Sequence, residues 1–239
     1  MCTLIPYDFM KRFFLTSFAI FLLAAIFVFQ STSCKPKHPR PGDILFIDSF
    51  SNPNTLDDNW EIFDQENPLT GSSVWEVKKG HLYQTSNIYR GGDDEYAFYE
   101  GSNILMRGDL GWPNYEFSVD FGISGNGDGV GLLFRYQDEQ HYYRLLMVSD
   151  TGNKGPFMKL QAKEGNKYVV LAENKKAYDP NHHHRVKVIA TGNDITVIYD
   201  DQKIFNVKDD RYKTGRIGMM CYAEQPDFDS VRVTAVKAK

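Results

Sequence analysis

Cysteine is scarce in this chain. Only Cys2, Cys34 and Cys221 occur among 239 residues, so the part beyond residue 34 holds one thiol and no disulfide, and its stability must come from a core large enough to do without one. Positive charge is not in excess either: 27 lysines and arginines stand against 31 acidic residues, a formal net charge of −4, which argues against nucleic acid as a partner. Helical periodicity is missing from Ile44 onward, no internal repeat recurs at a fixed period, and no linker long enough to divide the chain lies between Asp43 and Val236. These absences leave a single domain built without helical layers.

One long apolar run is present. Lys11 and Arg12 precede the uncharged stretch from Phe13 to Phe29, which is followed by Ser31-Thr32-Ser33-Cys34; the order basic, apolar, small is that of a secretory signal peptide over residues 1–33. Its end resembles a bacterial lipobox, with Ser31 where an aliphatic residue usually stands, and the resemblance implies acylation of Cys34. The expectation is an exported, membrane-anchored lipoprotein facing the periplasm or the cell surface. The run also reaches the lower end of the roughly 17–25 residues that span a bilayer, so an uncleaved anchor is the alternative and ordinary secretion the third. Prolines 36, 39 and 41 with Lys35, Lys37 and Arg40 make residues 34–42 an extended spacer whose bases can lie near anionic headgroups. The folded domain is therefore expected over residues 43–239.

That domain alternates apolar residues between clusters of Gly, Asn and Asp, the pattern of an all-β fold. Tyr115, Phe117, Val119 and Phe121 fall on one face of a predicted strand and Glu116, Ser118 and Asp120 on the other, so one side packs and the other meets water. Further strands are predicted over residues 129–136, 141–149, 157–163, 185–190, 194–199, 216–222 and 230–236, and residues 75–82 read as an edge hairpin carrying a core tryptophan. Residues 130–134 and 145–148 are apolar on both faces, as befits central strands covered on both sides. Number and spacing predict two stacked antiparallel sheets. Cys221, inside the apolar segment 217–222, reads as a small buried hydrophobe.

Several segments carry a family resemblance through their order along the chain: Asp48-Ser49-Phe50, Trp60, Trp75 to Leu82, Gly131-Leu132-Leu133-Phe134-Arg135-Tyr136, Tyr142-Tyr143-Arg144, His184 to Val188, Gly215-Arg216-Ile217-Gly218 and Phe228-Asp229-Ser230-Val231. Residues 44–236 resemble bacterial concanavalin-like jelly rolls, nearest to the laminin-G-like and 3-keto-disaccharide-hydrolase-like groups. The resemblance implies a two-sheet antiparallel jelly roll and, since one fold hosts many functions, leaves function to the residues. It also implies a structural calcium ion tying first and last strands, with Asp48 and Asp229 as its ligands; calcium takes six to eight oxygens.

Catalytic motifs are hard to find. Glycoside hydrolases of this fold place acids at Glu-x-Asp-x-x-Glu on one strand, and no such run exists; Glu116 and Asp120 share a face at another spacing and read more simply as solvated carboxylates. His182-His183-His184 admits zinc or copper, but the resemblance implies an exposed or capping histidine at His184, and Arg107-Gly108-Asp109 is too short a motif to mean more than a charged turn. Aromatic residues with planar donors beside them suit sugar stacking better. Tyr136 and Tyr142 lie on consecutive strands joined by a short connection, Arg144 follows Tyr142 on the same face, and Trp112 sits in a nearby loop; these four are the candidate ligand residues. If that face is the inner one, they belong to the core instead. Arg135 either flanks the same face or pairs with Asp138 and Glu139. The leading expectation is a membrane-anchored binding module for carbohydrate or an extracellular protein. A glycoside-cleaving enzyme resembling the 3-keto-disaccharide hydrolases and a structural or adhesive envelope lipoprotein are the alternatives.

Overall fold

The computed structural model describes residues 39–64, 70–90, 99–108, 111–125, 127–150, 152 and 155–238. The signal segment, Cys34 and most of the spacer lie outside the described residues, as does Asp109. Two antiparallel sheets face each other. In the eight-stranded sheet the order is β13 (Gln202–Lys208), β12 (Asp194–Tyr199), β11 (His184–Thr191), β6 (Tyr115–Ile123), β15 (Pro226–Ala235), β4 (His81–Gln84) and β3 (Trp75–Lys78), with β1 (Ile44–Asp48) also on β15. The seven-stranded sheet runs β10 (Lys167–Asn174), β9 (Phe157–Glu164), β8 (His141–Val148), β7 (Gly129–Asp138), β14 (Arg216–Tyr222), β5 (Ser102–Met106) and β2 (Trp60–Asp64). A single short helix, α1 (Thr55–Asn59), joins β1 to β2 among the described residues. This is the expected jelly roll, and the predicted hairpin at residues 75–82 forms at the sheet edge.

Alternation decides what each strand buries. Tyr115, Phe117, Val119 and Phe121 of β6 enter the core between the sheets and meet Phe134, Tyr143, Leu145 and Met147 from β7 and β8. Cys221 lies in the same core, and burial pushes its thiol well above the ordinary range. Strands β7, β8 and β14 also bury their other face, where Leu133, Tyr136, Tyr142, Leu146, Met220 and Tyr222 form a second cluster. Sequence that is apolar on both faces thus marks the strands packed on both sides. Gly131 is required where β7 meets β8, because a Cβ there would lie 2.0 Å from the carbonyl oxygen of Leu145.

Two indoles cross between the sheets. Trp60 Nε1 donates to Asp48 Oδ2 at 2.9 Å, from the seven-stranded sheet to the eight-stranded one. Trp75 Nε1 donates the opposite way, to Ser102 Oγ at 2.9 Å. Both rings are buried, and a buried N–H left without an acceptor would be costly.

Arg135 falls neither on the ligand face nor against Asp138. A bulge in β7 gives it a positive φ of 46°, and its guanidinium, fully buried, donates to the carbonyls of Pro113 and Tyr212 at 2.9 Å each. It clamps two loops to the end of the sandwich. Burial away from a carboxylate lowers its pKa from the ordinary arginine value.

Candidate functional site

The outer face of the seven-stranded sheet carries a buried polar network. Strand alternation turns Tyr142 and Arg144 of β8 away from the inter-sheet core while Tyr143 and Leu145 enter it. Register then sets Tyr142 opposite Lys163 and Arg144 opposite Gln161 on β9, and Lys163 opposite Tyr168 on β10. Glu100 arrives from the segment ahead of β5 and completes the group. Its Oε1 accepts from Lys163 Nζ at 2.7 Å and from the Tyr168 hydroxyl at 3.0 Å, and its Oε2 accepts from Arg90 at 2.6 Å.

The network continues through side chains of mixed character. The hydroxyls of Tyr142 and Tyr168 are 2.7 Å apart. Arg144 Nε donates to Gln161 Oε1 at 2.8 Å, Arg144 also donates to the Tyr99 carbonyl at 3.2 Å, and its guanidinium carbon lies 3.5 Å from the centre of the Tyr168 ring. That is close stacking of a planar cation on an aromatic face. Glu100, Arg144 and Lys163 are only 3%, 2% and 7% exposed, and buried charges persist only when paired and hydrogen-bonded. Burial raises the Glu100 carboxyl, but the charge of Lys163 and hydrogen bonds from Lys163, Arg90 and Tyr168 outweigh it and hold the group below the usual carboxylate range. Burial pushes the Tyr142 and Tyr168 phenols up, with Glu100 adding to the effect at Tyr168.

The sequence candidates divide. Tyr136 stacks on Tyr142 with ring centres 4.9 Å apart, and Arg144 follows on the same face. Neither reading of that face as open or as inner describes it: it is the outer face, but it is covered. Trp112 stands apart, packed against the inter-sheet core. An open groove of about 490 Å³ begins where the stack ends, lined by Gly108, Tyr136, Gln137, Thr214, Gly215 and Arg216. Arg216 is held there by Glu61 at 2.7 Å and by the Met106 carbonyl at 2.7 Å. Arg107, of the Arg-Gly-Asp tripeptide, donates its backbone N–H to the Asn59 carbonyl. Glu100, Lys163 and Tyr168 were not singled out by sequence, because the contacts that give them meaning link residues 63 and 68 positions apart.

The expected metal ligands are engaged elsewhere. Asp48 Oδ1 accepts from the Phe50 N–H at 2.8 Å, and its Oδ2 accepts from the Thr55 hydroxyl at 2.5 Å and from Trp60 at 2.9 Å. Asp229 accepts from the Ser230 N–H and stands opposite Asp120 in the sheet. With Asp48 bound to three protein donors, this pair does not fit a calcium site, and no group of three His, Cys, Asp or Glu suited to a metal occurs among the described residues. The histidines also part company: His182 goes to Asp179 at 2.7 Å, His183 lies 4.0 Å from Asp227, and His184 bonds Asp200 at 2.7 Å. His184 is thus a buried capping residue. Asp120 is held in two places by Arg185, at 2.6 and 2.5 Å.

Comparison with known proteins fits this architecture. Residues 46–234 match the family described as the 3-keto-alpha-glucoside-1,2-lyase-like domain. Among solved structures, the carbohydrate binding module CBM66 from Bacillus subtilis is 22% identical, with a TM-score of 0.55 over 71% of this chain and 96% of that one. A Bacillus subtilis protein of unknown function with a galectin-like fold is 11% identical, with a TM-score of 0.62 over 84% of this chain and 99% of that one. The exoplasmic/lumenal domain of VIP36, in a form bound to Ca2+ and Man3GlcNAc, is 12% identical, with a TM-score of 0.58 over 78% of this chain and 88% of that one. Curated protein sequences include no match. At these identities the neighbours establish the fold.

Proposed function

Since the chain belongs to the family of 3-keto-alpha-glucoside-1,2-lyase-like domains, we propose that it is a carbohydrate-binding module held at a membrane through acylated Cys34 and facing the periplasm or the cell surface. The observation that carries the reading is the Glu100–Lys163–Tyr168–Tyr142–Arg144 network with the groove beside Tyr136. The likeness to a carbohydrate binding module and to the Man3GlcNAc-bound domain of VIP36 supports a saccharide as ligand over an extracellular protein. The ligand lies in the groove, where Gln137, Thr214 and Arg216 offer hydrogen bonds to hydroxyls. The buried network behind it fixes Tyr142, on which the groove-lining Tyr136 stacks, as supporting residues must if a site is to hold its shape.

The family name and the glycoside hydrolases among the structural neighbours favour one second reading, cleavage of a glycoside. The network holds a single carboxylate, already neutralised by two cations, so it lacks the acid pair of glycoside hydrolysis, and among the described residues the groove lining includes no Asp, Glu or His to act as the base that a lyase needs. Binding therefore ranks first. A glycan array probed with the purified chain, beside the groove-filling variant Gln137→Trp, tests it. Retention of neutral glycans by the parent and their loss in the variant, at unchanged melting temperature, is the expected result. No retained glycan, equal retention by the variant, or release of a cleaved product would overturn it.

A further inference from the structure

The opposite face of the molecule carries a second groove, independent of the reading above. It has a volume of about 370 Å³ and lies on the outer side of the eight-stranded sheet, between Arg185 and Lys187 on one wall and Arg232, Ser230 and Ile47 to Ser49 on the other, with Glu116 and Ser118 along its floor; the Asp48 carboxylate in that wall is already taken by the Phe50, Thr55 and Trp60 donors. The register that builds it is direct. Ser118 of β6 stands opposite Lys187 of β11 and opposite Arg232 of β15, and Ile47 of β1 stands opposite Arg232. One row of four strands thus reads cation, hydroxyl, cation, apolar. Strands lie about 4.8 Å apart, so the two cations start about 10 Å from each other and can reach inward over Ser118.

Their charges are differently committed. Arg185 is taken by Asp120 through two hydrogen bonds. Lys187 has only a 3.7 Å approach to Asp201, whose side chain is largely in water, and an exposed pair at that distance is weak. Arg232 makes one 3.4 Å contact, to the Thr234 hydroxyl. Ile47 is 58% exposed, an apolar surface beside the arginine. Glu116, one row along, provides a carboxylate acceptor at the groove's end.

We propose that this groove binds an acidic saccharide, one bearing a carboxylate or a sulfate ester. Lys187 and Arg232 clasp the oxyanion, the planar guanidinium suiting a bidentate grip. Ser118 donates from the floor, Glu116 accepts from ring hydroxyls, and Ile47 packs against the sugar's C–H surface. A bare anion would leave Glu116 and Ile47 without a partner, and a neutral sugar would leave the cations unused.

Isothermal titration of the purified full-length chain with trigalacturonate, a sulfated chondroitin disaccharide and maltotriose tests the proposal. At least one acidic probe should bind, more weakly as salt rises from 50 to 500 mM, on the order of what screening of such exposed charges implies. Galacturonate binding identifies a carboxylate site and disaccharide binding a sulfate site. Lys187→Ala and Arg232→Ala should each weaken that binding about tenfold at unchanged melting temperature, equivalent to about 1.4 kcal/mol, and Gln137→Trp should leave it intact. Failure of both acidic probes to bind, or undiminished binding in the Lys187→Ala/Arg232→Ala double variant, would overturn the proposal. Loss of acidic-probe binding in Gln137→Trp would likewise do so, by placing the ligand in the other groove.

Discussion

The hydroxyl of Tyr168 joins two partners at once, lying 2.7 Å from the hydroxyl of Tyr142 and 3.0 Å from the carboxylate of Glu100. Tyr168→Phe removes both bonds while keeping the ring beneath Arg144. The Tyr142 hydroxyl and one Glu100 oxygen then lose a partner in a buried setting, and a loss of about 1–3 kcal/mol is expected, read as a shifted urea midpoint with unchanged slope. Alkali should act on the same pair. Burial raises both phenols above their ordinary value, so the unfolded chain loses these protons first. Their contribution is complete below pH about 10 and declines above it, which spectrophotometric titration combined with denaturation will follow.

Acid tests Glu100. Its carboxyl is held below the usual carboxylate range in the folded chain, so the stability it confers is present above the unfolded value of about 4.3 and is lost as pH falls through the folded value. Glu100→Gln should lower stability at pH 7 by about 3–5 kcal/mol, because Lys163 is left buried without its counter-ion. The same variant should flatten the acid limb of the stability curve. A parallel curve merely displaced downward would show that other carboxylates set the acid response.

Asp48 predicts a structural effect that is independent of metal. Asp48→Ala leaves three donors, from Phe50, Thr55 and Trp60, without their acceptor, and should cost roughly 3 kcal/mol or more, since hydrogen bonds to a charged group are the stronger kind. EDTA should leave the melting temperature of the parent chain unchanged. A drop on chelation, restored by calcium, would mean that metal stabilises the native state through other residues.

The anchor is checked by chemistry at a single atom. Cys34→Ala removes the sulfur to which a lipid would be attached, so metabolic labelling with an alkyne fatty acid should fall to background and the protein should either keep its signal segment or leave the membrane fraction. Labelling at the parental level would refute acylation at this residue.

How much of this was legible depended on where a residue's partners lie. Strands β6, β7, β8, β11, β12 and β14 are recognised within a residue or two, because each places a regular row of apolar side chains in a core. β2, β5, β10 and β13 escape the pattern: β2, β10 and β13 stand at sheet edges, where one side lacks a neighbour and charged or amide side chains interrupt the alternation, as edges require, while β5 is an interior strand of only five residues that opens on the polar pair Ser102-Asn103. At the candidate site, the stacking of Tyr136 on Tyr142 follows from a local hairpin and could be read. The Glu100 pairing follows from register across β8, β9 and β10 and from a loop that crosses them, and no local pattern announces it. Trp112 looked equally available, but Arg135 holds the carbonyl of its neighbour Pro113, which directs the loop toward the inter-sheet core.

The crossed indole bonds of Trp60 and Trp75 have an optical consequence. Each ring is buried in one sheet and tethered to the other, so sliding the sheets past one another must expose both chromophores together. Their emission should shift to the red in a single step, and a chain pulled from its ends should give up both tethers in the same force event. The sandwich carries its own paired strain gauges, and a variant that loosens one sheet without parting the two would leave them dark to the change.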